Sequence, residues 1–156
     1  MLADLQRIGA EDPSAVQLLL KAIKDGTQPG RIGDDQADRL VAAVTEHADV
    51  RWTVLLMHMP MWQGAGHPAL DRLRAALGDR PYTAFAGHAH NYRHSRIDGR
   101  DHVRLGSTGG IRSGEGEGSF DHVAWVTMTP AGPLVANLLL DGVLDVTGAA
   151  PTDGIA

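Results

Sequence analysis

The sequence predicts an α/β fold in which helices and parallel strands come first and antiparallel hairpins follow. Two short apolar runs carry the first half of that expectation, "WTVLLM" at 52–57 and "YTAFAG" at 82–87. Neither alternates polar with apolar residues, the pattern of strands buried on both faces of a sheet. The second half rests on Asp98-Gly99, a two-residue hairpin signal flanked by extended runs.

The elements follow in order. In "EDPSAVQLLLKAIKDG", Asp12 is placed to cap a helix with Pro13 at its first position. Val16, Leu19, Leu20 and Ile23 then recur at helical spacing until Gly26 stops the run. After "GTQPGRIG", a second helix starts at Asp34 and carries Ala37, Leu40, Val41 and Val44 on one face. The strand 52–57 ends at His58. Pro68 opens a third helix with Leu70, Leu73, Ala76 and Leu77, and the strand 82–87 ends at His88. Helix, strand, helix, strand implies crossover connections and parallel pairing.

Two hairpins follow, one around Asp98-Gly99 and one joining "HVAWVTMTP" to "PLVANLLLDG" across Ala131-Gly132. In the later strand Ala124, Val126 and Met128 fall on one face and Val123 and Trp125 on the other, so both faces call for cover. The expected organisation is a single domain over 1–146 with a disordered tail over 147–156.

Composition narrows the function classes. The formal charge is -5, from 14 Lys+Arg against 19 Asp+Glu, and no basic block is present, which argues against bulk nucleic acid as a partner. With no cysteine, disulfides, thiolate metal sites and cysteine nucleophiles are excluded, so any metal ligands must be His, Asp or Glu. The apolar runs fall short of the ~18 residues of a membrane helix, and "MLADLQRIGAED" lacks the apolar core of a secretory signal. The expected setting is cytoplasmic, with no membrane partner.

The chain's eight histidines concentrate chemistry at one place. His58 and His88 each follow a predicted strand, and in open α/β sheets ligands bind at the carboxyl ends of strands. His88 and His90 are two apart, so a backbone that stays extended there would project both from one face. Imidazole nitrogens suit Mn, Fe, Zn, Ni or Co, and an ion so held makes bound water a nucleophile near neutral pH. His94 is a further candidate, and a mononuclear site of His88, His90 and either His58 or His94 is an alternative arrangement. His47, His67, His102 and His122 read as surface or hydrogen-bonded residues. The glycine-rich loop 106–118, with Arg112, has the composition of a backbone phosphate cradle or of a mobile surface loop. Arg112, and Asn91 and Tyr92 beside the His pair, are candidate substrate contacts.

"VLLMHMPMW" followed by "AFAGHAHNYRHSR" resembles the last two motifs of the calcineurin-like metallophosphoesterases: a strand-end His followed by Pro, then Gly-His-x-His. "IGDDQADRLVAAV", "LGSTGG" and "HVAWVTMT" are similar to the same family, and the likeness spans roughly residues 30 to 142. The resemblance implies the C-terminal half of an α/β/β/α sandwich and a phosphoesterase acting on phosphate monoesters or diesters. It also implies two divalent ions in a complete site, with His58 and His88 on one and His90 on the other. A hydroxide held between the ions would attack phosphorus in line.

The family's N-terminal half supplies Asp-x-His, Gly-Asp with a bridging carboxylate, and Gly-Asn-His, whose His assists the leaving group. The first and last are absent here. Gly-Asp occurs only in "GDD" at 33–35 and "GDR" at 78–80, at a helix start and a helix end and out of family order. The catalytic acid is therefore unassigned in this chain, and the expected partners are a phosphate ester substrate and an N-terminal half-domain or another chain. The non-enzymatic alternative is a degenerate half-domain serving as a binding module.

Overall fold

A computed structural model describes residues 30–63, 66–110, 116–139, 143–144 and 146–148. The helix expected over 13–26, the centre of the glycine loop with Arg112, and the tail from 149 lie outside the described residues. The chain is mixed α/β. Its element order is α1 (Asp34–Glu46), β1 (Thr53–Met57), α2 (Pro68–Leu77), β2 (Tyr82–Ala86), β3 (Arg93–Ile97), β4 (Arg100–Arg104), β5 (His122–Thr129), β6 (Gly132–Leu139) and β7 (Val143–Leu144). No described helix is long and apolar enough to cross a membrane.

Four strands form the first sheet in the order β1-β2-β4-β3, and three form the second in the order β5-β6-β7. The β1–β2 pairing is parallel, as the helical crossover implies. The β4 strand inserts parallel to β2 and carries its hairpin partner β3 at the sheet edge. Asp98 and Gly99 both have positive φ, 50° and 74°, the requirement of a type I′ turn. That turn fixes the hairpin register from Ile97↔Arg100 to Arg93↔Arg104.

The helices cover one face of the first sheet. Pro68 opens α2, and Leu70, Leu73 and Leu77 bury a stripe at i, i+3, i+7 spacing before Gly78 ends it. Leu73 and Leu77 pack with Tyr82 and Ala84 of β2, and Leu40 and Val44 of α1 join from the side. The opposite face meets the second sheet where Phe85, Tyr92 and Val103 pack with Phe120 and Val135.

Two expectations are corrected by this packing. First, β1 is not buried on both faces: Val54 is 43% and Leu56 78% exposed, because β1 is an edge strand and only its Leu55 side is covered by helices. The fully buried strand is β2, which has a neighbour on each side. Second, the later hairpin turns at Pro130-Ala131, and Gly132 already pairs with Thr129. Gly132 has φ +121° and a Cβ there would lie 2.6 Å from the Trp52 ring, so this glycine serves close packing. At the end of the described residues, Tyr92 Oη donates to the Val146 carbonyl and Gly148 lies against the Tyr92 ring. The two-residue β7 pairs with β6 and was not announced by the sequence pattern.

Candidate metal centre

The β1–β2 ladder runs one step past both strands, where Gly87 N–H donates to the His58 carbonyl at 2.9 Å. That bond sets the two strand-end histidines side by side. His88 Nδ1 lies 3.2 Å from His58 Nε2, with the ring centroids 5.1 Å apart and the planes at 76°. Two imidazole nitrogens bound to one tetrahedral zinc at ~2.0–2.1 Å would sit about 3.3 Å apart, by the geometry of the angle between them. The observed separation fits two adjacent ligands of one ion, and equally a single shared proton.

The backbone beyond β2 does not stay extended. His88 has φ 70° and His90 φ 52°, both left-handed, and Ala89 N–H donates back to the Gly87 carbonyl at 2.9 Å. The condition for projecting His88 and His90 from one strand face is therefore not met. A left-handed non-glycine residue costs roughly 1–2 kcal/mol, and two in three positions concentrate strain at the His pair. Among the described residues no group of three or more His, Asp or Glu comes together as a metal cage. The structure thus unites His58 with His88 and leaves His90 on the same turn without joining them.

His94 is not part of the centre. Its Nε2 pairs with Asp101 Oδ1 at 2.9 Å, across the β3–β4 hairpin. The mononuclear three-histidine arrangement is accordingly not assembled among the described residues.

The substrate-contact candidates divide. Asn91 is tied down: Arg104 Nε donates to its carbonyl at 2.8 Å and Arg104 Nη2 to its Oδ1 at 3.0 Å. Tyr92 is a core residue, 4% exposed and stacked against Phe120 and His122. Arg112 lies outside the described residues. In the described part of the glycine loop three N–H groups already have protein acceptors, Gly106 on His122 Nε2, Gly109 on Asp121 Oδ1 and Gly110 on Ser107 Oγ. Those three donors are not available to a phosphate.

Arg104, which sequence reading did not single out, anchors the turn after His90. Besides Asn91 it reaches Gln63 Oε1 at 3.0 Å, joining the segments that follow β1 and β2. Its guanidinium pKa is lowered by burial first and by the charge of Arg93 second. A signal was present: counting outward from Asp98-Gly99 puts Arg93 opposite Arg104. His102 and His122, read as surface or hydrogen-bonded residues, are both buried and hydrogen-bonded, with His102 Nδ1 on the Arg100 carbonyl and His122 between Asn137 and Gly106.

No family model, curated protein or solved structure matches the chain.

Proposed function

We propose that this chain carries one wall of a divalent-metal site in a phosphoesterase, with His58 and His88 holding the first ion. The observation that carries this reading is the 3.2 Å approach of His88 Nδ1 to His58 Nε2 at the ends of two parallel strands. Its support from sequence is the ordered pair of motifs around those residues, a strand-end His followed by Pro and then Gly-His-x-His. The layering of helices, first sheet and second sheet is compatible with the metallophosphoesterase sandwich.

The chain's own residues do the positioning. The Gly87–His58 backbone bond brings the two strand ends together, and Arg104 ties Asn91, after the His turn, to Gln63 in the segment that follows β1. A bound divalent ion supplies Lewis-acid polarisation of phosphoryl oxygen and activation of water. His90, on the same strained turn, is the candidate ligand for a second ion. A bridging carboxylate and a general acid are assigned to an N-terminal half-domain or to another chain.

Zinc or manganese titration by calorimetry tests the first-ion site. The expected result is saturable binding abolished by His58→Ala and by His88→Asn, the latter chosen because Asn tolerates left-handed backbone. Hydrolysis of a generic aryl phosphate should be undetectable with this chain alone and arise when the completing segment is supplied. Binding that survives both substitutions, or activity that His88→Asn leaves intact, overturns the reading. The absence of a three-ligand group among the described residues favours a second reading, a metal-free binding module, which no saturable metal uptake would support.

A further inference from the structure

Arg93 and Arg104 are directly opposed in the β3–β4 register, so their side chains leave the same face of the hairpin. Like charges in that relation are destabilising and are ordinarily avoided. Among the described residues neither arginine forms an ion pair. The three acceptors of Arg104 are the Asn91 carbonyl, Asn91 Oδ1 and Gln63 Oε1, all uncharged, although the side chain is partly buried. Arg93 has no carboxylate partner among the described residues, and Asp101, the acidic residue of this hairpin's strands, is engaged with His94 and Arg96.

Both arginines line a cavity of about 350 Å³ that opens beside Asn91, the residue following His90. Glu117 is the one acidic residue among the cavity's lining. Its loop is pinned there through its backbone, by Asn91 Nδ2 donating to the Glu117 carbonyl. A buried or half-buried guanidinium without a counter-charge is costly, and two facing one polar cavity define a site for an oxyanion.

We propose that this cavity is an anion subsite in which Arg93 and Arg104 together bind a phosphate group. The fixed Arg104 fork retains N–H groups beyond its three bonds, and Arg93, exposed and unpaired, closes on the anion. Combined with the phosphoesterase reading, on which this clause rests, the subsite takes a second phosphoryl group of the substrate, adjacent to the His turn.

The test titrates inorganic phosphate into the chain in chelator-treated buffer at constant ionic strength, following the Arg Nε–H signals by NMR. A saturable shift of both the Arg93 and Arg104 signals is expected. Arg93→Ala should weaken binding about tenfold, the loss of one charge-assisted contact, while Arg93→Lys should retain most of it. Arg39→Ala, which removes an exposed helix charge, should change nothing. Non-saturating shifts, or an equal loss with Arg39→Ala, overturn the subsite. Because no divalent ion is present, failure here leaves the metal reading standing, and failure of metal binding leaves this result standing.

Discussion

His122 donates from Nδ1 to Asn137 Oδ1 at 2.8 Å and accepts the Gly106 N–H at Nε2 at 2.9 Å, and the second bond requires the neutral ring. It sits 4% exposed between Tyr92 and Phe120, and joins the loop after β4 to the second sheet. Burial lowers its pKa below 6.5, with Asn137 partly opposing, and burial likewise lowers that of His102. As pH falls through 6.5 the unfolded chain takes up these protons first. Stability therefore declines from that point down to the lowered folded-state values, and is fully present above it. Denaturant midpoints measured at pH 7.5 and 5.5 should show the loss. His122→Asn should cost about 1–3 kcal/mol at neutral pH and show a shallower pH dependence; an unchanged slope would remove His122 as its source. The sequence left this residue as either a surface or a hydrogen-bonded histidine, and its partners, 15 and 16 positions away, were beyond any local pattern.

Among the elements, the helix ends depend on one side chain. Arg80 donates to Val44 O at 2.7 Å, to Ala76 O at 2.8 Å and to Leu77 O at 3.1 Å, meeting the last turns of α1 and α2 together. A cation there satisfies orphan carbonyls and complements both helix dipoles. Arg80→Ala should lower stability by about 1–3 kcal/mol, with partial recovery in Arg80→Lys, read from urea unfolding. Gly132→Ala should cost about 2–4 kcal/mol, from overpacking against Trp52 and from backbone strain at φ +121°. The helices α1 and α2, strand β2 and the first hairpin were legible because each states its own period, cap or turn residue. The exposed face of β1 was not, because an apolar run reports affinity for cover and says nothing of whether cover exists. The left-handed turn at His88 and His90 was equally hidden, since histidine at positive φ is uncommon and carries no sequence mark.

At the scale of the whole molecule, apolar surface is left open on three faces. By register with Phe85 and Thr83, Leu56 and Val54 belong to the layer between the sheets, yet they are 78% and 43% exposed. Val126 and Met128 of β5 share the inward face with Val135 and remain exposed in turn. Val123, Trp125, Leu134 and Leu138 form an outer face of the second sheet that no described helix covers. Apolar patches of this kind mark association sites, and β1 has a neighbour strand on one side only among the described residues, leaving an edge that is a template for further pairing. Sedimentation velocity should therefore show concentration-dependent association. Leu56→Lys and Trp125→Ser should each reduce it with little change in melting temperature, because neither side chain is buried in the described fold. Monomeric sedimentation at all concentrations with cooperative melting would overturn the reading of these exposed faces as association surfaces.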